Sequence, residues 1–322
     1  MVKIDNTRED MPLVVEGKKV IPVFFATDDN YIPFMGVAIK SLLLNASKDY
    51  FYNIHILHTG LKTENMLKIS RLETENSKVY FTDLTDYVIR IRERLDATLR
   101  DYYTESIFYR IFIAALYPEY SKAIYLDGDI VVIDDISKMF NIELGDNIFG
   151  VITDDVINTN PQFVTYAREG VGVEKYFNSG VLLMNLDEYR KEKIQERFVY
   201  LLVKYNFETA APDQDYLNVL CENKVKWLVK GWDRMPIGDY TGPIHLIHYN
   251  NFRKPWYYDD VMYGDYFWDY AIRTEFYDEL LKIRESFTPE MHKAKEAGAM
   301  KLVEQTIRII ESDKNFKKML KG

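Results

Sequence analysis

From residue 20 onward the chain alternates short apolar runs with stretches of helical periodicity. Residues 20–26 form an unbroken apolar run of strand length, and residues 34–44 repeat apolar positions at helical spacing. The alternation continues with a strand-like run at 52–58, a polar helical stretch at 63–75 and a further run at 78–81. That order predicts an α/β fold with a doubly wound sheet. Residues 106–117 read as a helix ended by Pro118. Strands are expected at 149–155, 177–185 and 244–248, with helical patterns at 186–205 and from Asp213 to Leu220. Residues 156–176 are irregular and polar, and the expectation there is a loop or lid. The tail from 290 to 322 reads as helical.

One run departs from this scheme. Residues 122–133 are apolar except for Asp127 and Asp129, which sit two apart around Gly128. This pattern reads as a buried strand that ends at an acidic turn and resumes beyond it. In extended backbone, residues two apart face the same way, so the two carboxylates converge, a spacing suited to one divalent cation. Gly128 lets a ligand or another backbone approach. Left alone at the end of an apolar strand, both acids would carry a desolvation cost.

Other candidates lie at the ends of predicted elements. The 27–31 loop follows the first strand, where ligands gather in open α/β sheets, although Asp and Asn there also make good turns. Arg110 is the one cation in an apolar helix, placed to meet a phosphate or Asp127. Asp213, Gln214 and Asp215 open a helix that presents them to a cleft. His55 and His58, three apart on a strand, read as structural. His245 and His248 share that spacing, so only one can face inward, and His248 at the strand's end is the better ligand. Lys254 follows as a phosphate counter-charge.

Composition narrows the chemistry. The 322 residues are 47% hydrophobic and 28% charged, an ordinary globular balance. A net charge of −9 argues against a nucleic-acid binder, but leaves room for a nucleotide whose charge a metal neutralises. Cys221 is the only cysteine, which excludes an intrachain disulfide and a cysteine-based zinc site and fits a reducing cytoplasm. The first ten residues lack a signal peptide's apolar core, and no run reaches the roughly 18 apolar residues of a membrane span. The expectation is a soluble, unprocessed cytoplasmic protein, with at most peripheral contact at the inner membrane face through its basic tail. The 25 tyrosines supply flat faces suited to sugars and bases as well as core packing.

Taken in order, these residues resemble glycosyltransferase family 8, the retaining transferases that include bacterial lipopolysaccharide galactosyl- and glucosyltransferases and glycogenin. The resemblance runs over about residues 20 to 260. It rests on the Ala26–Tyr31 loop, Tyr109-Arg110, Leu126-Asp127-Gly128-Asp129, residues 177–182, Asp213-Gln214-Asp215, and the stretch from His248 to Trp256. It implies a GT-A fold, a Rossmann-like mixed sheet flanked by helices. Residues 1–270 would form the transferase domain, with a nucleotide-binding half at about 20–135 and an acceptor-side half at about 136–270, and residues 271–322 a helical extension. Asp127, Asp129 and His248 would ligate Mn²⁺ or Mg²⁺. Ala26, Thr27, Asp28, Asn30 and Tyr31 would hold the nucleotide of a UDP-sugar, with Gly128, Asn250, Asn251 and Lys254 beside its phosphates. Arg110, Asp154, Asn178, Asp213 and Gln214 would surround the transferred hexose.

The implied reaction moves glucose or galactose from a UDP-hexose to a glycan, glycolipid, lipopolysaccharide or glycoprotein acceptor. Asn251 stands where the family motif usually has glycine, and there a side chain would face the diphosphate that the resemblance implies. That departure keeps open a second reading, a non-catalytic sugar-nucleotide or glycan-binding protein on the same fold. An aspartate-dependent phosphatase fits less well, because its acidic pair belongs on a first strand with a following threonine, whereas Val131 and Val132 follow here.

Overall fold

The computed structural model describes residues 12–92, 106–250 and 253–321. In chain order the strands are β1 (Val14–Val15), β2 (Lys18–Ala26), β3 (Tyr50–His58), β4 (Ser77–Asp83), β5 (Lys122–Leu126), β6 (Ile130–Val132), β7 (Phe149–Val151), β8 (Val181–Asn185), β9 (Val225–Trp227) and β10 (Leu246–His248). The large sheet runs β4-β3-β2-β5-β8-β7-β9, with β1 paired to β2. Strands β4, β3, β2 and β5 are parallel, and β8 lies antiparallel between β5 and β7. The sheet is therefore mixed.

Both faces of this sheet are covered, which is why its strands read as continuous apolar runs. Ile21, Val23 and Phe25 of β2 point into one core and Phe24 into the other; Ile124 and Leu126 of β5 likewise oppose Ala123 and Tyr125. This is the period-two geometry of an extended chain. The first core is closed by the Ile32–Asn45 helix, which begins with Pro33 in its first turn, and the second by Tyr109, Phe112 and the helices after β8. His55 is stacked between Phe24 and Tyr80, and His58 Nδ1 accepts from the Gly60 and Leu61 amides, so both are structural as expected.

Four expectations need correction. The acidic run does resume as a strand, but β6 leaves the large sheet and pairs antiparallel with β10 in a second, two-stranded sheet. The 106–117 helix is a 3₁₀ turn from Ser106 to Phe112 followed by a short α-helix, Ile113–Leu116. The 186–205 helix is two, Leu186–Lys191 and Ile194–Tyr205, divided at Lys193 with φ 51°.

The fourth is the supposed lid. Residues 155–171 are helical, as Asp155–Thr159, Pro161–Thr165 and a π-helical turn Tyr166–Val171. Their apolar side chains, with Val173 and Tyr176, build a third core against Ile309 of the Pro289–Glu311 helix. The Tyr166 and Tyr176 hydroxyls both donate to Asp215 at 2.6 Å. The segment looked polar because its apolar partner lies more than a hundred residues away; it is a packed element.

Candidate metal centre and active site

The carboxyl ends of β2 and β5 lie side by side, at the end of the sheet where such folds keep ligands. Asp127 follows β5 directly, and its amide bonds the Gly180 carbonyl at 2.8 Å. Asp129 precedes β6. Because β10 pairs with β6 in the register His248 opposite Ile130, and the Tyr249 amide bonds the Asp129 carbonyl at 2.9 Å, a three-residue ladder carries the imidazole to the acids. Ligand atoms of Asp127, Asp129 and His248 all lie within 4.8 Å of one another.

The corner is short of positive charge. His248 Nε2 lies 3.2 Å from Asp129 Oδ1 and 3.9 Å from Asp127 Oδ2, buried and without a well-aligned hydrogen bond. Its Nδ1 is 2.8 Å from Asp233 Oδ1. Burial lowers the imidazole pKa, but the Asp233 and Asp129 carboxylates outweigh it and push the pKa up to about 10. Burial likewise raises Asp129, yet Lys254 and His248 prevail and hold it well below the carboxylate range. The Lys254 ammonium bonds Asp129 Oδ2 and the Tyr249 carbonyl, and the Tyr31 hydroxyl donates to Asp129 Oδ2 at 3.1 Å. Among the described residues, Asp127, Asp129, Asp213 and Asp233 are met by two permanent cations, Arg110 and Lys254, and by the His248 imidazole.

A divalent ion held by two carboxylates and an imidazole would supply positive charge to this acidic corner, replacing the Nε2 proton of His248. The donor set suits Mn²⁺ or Mg²⁺. The backbone is shaped for close approach: a Cβ on Gly180 would sit 2.3 Å from Asp127 Oδ2 and 2.5 Å from His248 Cε1. On Gly128 it would press on Met35 and Tyr31 at 3.1 and 3.3 Å.

Beside the acids lies a second, fully knit corner. Arg110 stacks on the Tyr125 ring at 4.3 Å, bonds Asp127 Oδ1 at 3.0 Å and Asp213 Oδ2 at 3.1 Å, and donates to the Ser179 carbonyl. Burial raises the Asp213 carboxyl pKa, and Arg110 counters it. Gln214 accepts from the Ser179 amide at 2.7 Å and donates to Asp154 Oδ2 at 3.2 Å. Asn178 donates to the same oxygen at 3.1 Å and accepts from the Gly180 amide at 2.8 Å. Asp154 also caps the Asp155–Thr159 helix through Ile157.

The sequence candidates thus divide. Asp127, Asp129, His248, Lys254, Tyr31, Arg110, Asp213, Gln214, Asn178 and Asp154 converge on one cleft. In the 27–31 loop, Asp28 Oδ1 accepts from the Asn30 and Tyr31 amides at 2.8 and 2.9 Å, and Thr27 is buried with its hydroxyl on the Asp28 carbonyl. Asn30 opens on a cleft of about 520 Å³ lined also by Asp29, Phe34 and Tyr257. Ala26 ends β2, Asn250 keeps a buried side-chain oxygen without a partner, and Asn251 lies outside the described residues. Sequence reasoning missed Asp233, Ser179 as a hydrogen-bonding hub, and Tyr125, whose hydroxyl donates to Asp127 at 2.9 Å. Ser179 and Tyr125 lie inside recognised stretches; Asp233 carries no local signal.

A family model described as glycosyl transferase family 8 matches residues 22–260. A putative glycosyltransferase of Haemophilus influenzae is 28% identical over 209 residues, covering 64% of this chain and 61% of that protein. The lipopolysaccharide 1,2-glucosyltransferase of Escherichia coli K12 is 24% identical over 261 residues, covering 76% and 75%. Among solved structures, galactosyltransferase LgtC in complex with donor and acceptor sugar analogs superposes with a TM-score of 0.66 at 23% identity, over 85% of this chain and 100% of that one. The chain spans less than two thirds of the Haemophilus protein's length. At such identity the structural likeness carries the fold, and the expected GT-A architecture holds. Among the described residues no helix is long and apolar enough to cross a membrane.

Proposed function

The chain belongs to glycosyl transferase family 8, and from that premise we propose that this glycosyltransferase is a metal-dependent, retaining enzyme moving glucose or galactose from a UDP-hexose to a glycan, glycolipid or glycoprotein acceptor. The observation that supports it is the convergence of Asp127, Asp129 and His248 beside Lys254, next to the Arg110–Asp213–Gln214–Asp154 network.

In this reading Asp127, Asp129 and His248 would hold Mn²⁺ or Mg²⁺, which would supply Lewis acidity to offset the charge of the leaving diphosphate. Lys254 exchanges its contact with Asp129 for the leaving diphosphate, adding a mobile positive charge. Asn178, Gln214 and Asp154, already fixed by one another, orient the hexose without further reorganisation. Asp213, held by Arg110 and Ser179, and Gln214, held by the Ser179 amide, would line the pocket beside the sugar, where the retaining route is decided. Residues 155–176, packed in a core, serve as a fixed wall. The nucleotide-binding half at about 20–135, the acceptor-side half at about 136–270 and the helical extension at 271–322 are part of the same proposal.

The test is UDP release by the purified protein from UDP-glucose, UDP-galactose and UDP-N-acetylhexosamines, with Mn²⁺ and with EDTA. Turnover of one hexose donor, abolished by EDTA, is the expected outcome. Tight UDP binding without turnover of any donor would assign the non-catalytic reading that Asn251 suggested.

A further inference from the structure

Asp233 is 1% exposed, and its Oδ2 has no hydrogen-bond partner. A buried carboxylate left half-satisfied is costly, so the group it does engage needs a reason. That group is His248 Nδ1, 2.8 Å from Oδ1. The pairing is held by backbone: Asp233 ends the Lys230–Asp233 turn, the next amide, Arg234, bonds the Leu246 carbonyl at 2.9 Å, and the His248 amide bonds the Arg234 carbonyl at 3.0 Å. Residues 233 and 234 are thus clamped alongside β10, and the carboxylate cannot drift from the ring.

We propose that Asp233 is a positioning residue for the divalent cation, accepting the hydrogen bond from His248 Nδ1–H so that, when the cation displaces the other ring proton, the Nε2 lone pair points at Asp127 and Asp129. A neutral imidazole has one N–H. With that proton on Nδ1 it meets a carboxylate; on Nε2 it would leave the Nδ1 lone pair against Asp233 and block the ligand position. The inference rests on the metal reading above and concerns what prepares the imidazole for it.

Mn²⁺ titration calorimetry on the full chain, without nucleotide, separates the two. Asp233→Leu, which keeps the volume and removes the acceptor, weakens Mn²⁺ binding about 10- to 100-fold, while Asp233→Asn, whose oxygen still accepts from Nδ1, stays within about tenfold of wild type. Pulsed electron paramagnetic resonance shows a histidine nitrogen coupled to Mn²⁺ in wild type and the Asn variant and loses it in the Leu variant. Equal affinity and intact coupling in the Leu variant overturn the proposal. Nitrogen NMR of the wild-type Mg²⁺ form needs no variant to fold: a His248 proton on Nδ1 supports the assignment, and one on Nε2 overturns it. If wild type takes up no Mn²⁺, the metal reading itself falls.

Discussion

At the amide corner of the cleft each polar side chain is committed to a neighbour. Gln214 bridges Ser179 and Asp154, Asn178 bridges Asp154 and the Gly180 amide, and Asp213 lies between Arg110 and Ser179. At the cation corner, joined to it where the Asp127 amide meets the Gly180 carbonyl, the reverse holds: His248 Nε2 faces two carboxylates with no aligned hydrogen bond, and Asp129 is balanced by a lysine from a distant loop. The first is a closed polar network, whose rigidity comes from satisfying its own members. In the second, the Asp129 charge is met by Lys254, a protonated imidazole and the Tyr31 hydroxyl. A site that must accept a charged group from outside has to keep a deficit of its own.

The contrast can be broken at three points, in falling order of effect. Asp129→Asn removes a charge from the open corner, and UDP release from a donor sugar is expected to fall about a thousandfold, equivalent to about 4 kcal/mol of lost stabilisation. Thermal stability should fall, because the buried Lys254 and His248 cations lose their counter-charge; equal activity in the variant would contradict the proposed cation site.

Arg110→Ala strikes the closed corner, stranding Asp127 and Asp213 together. It should cost about 3–5 kcal/mol of unfolding free energy, read by denaturant titration, because an uncompensated buried charge is left behind. A loss under 1 kcal/mol would mean that the network does not hold the pocket.

The smallest effect is expected at Asp28→Ala. Loss of its turn bonds to Asn30 and Tyr31 should cost about 1 kcal/mol. If the loop also holds the uracil, UDP affinity measured by calorimetry drops about tenfold, a further 1.4 kcal/mol. A stability loss with unchanged affinity would confine Asp28 to the turn.

The sheet was legible because strands buried on both faces must be apolar throughout, as in β2, β3 and β5. The carboxylates of Asp127 and Asp129 were legible for the opposite reason, as charges where burial disfavours them. Residues 156–176 misled because their short helices are defined by caps at Asp154 and Asn160 and by an apolar partner, Ile309, far along the chain. Asp233 was invisible: an acid beside Trp232 looks like any polar turn until β10 is laid next to it.

Local order in the chain therefore determined which segments are strands and helices, that two acids share one side of a turn, and which family the motifs belong to. Only the tertiary structure decided that β6 leaves the main sheet to pair with β10, and with that pairing that His248 meets Asp129 across 119 positions, 248 minus 129. Side-chain period and burial are written in neighbouring residues. Convergence of groups so far apart depends on loop closures and strand pairings whose free energy belongs to the whole fold.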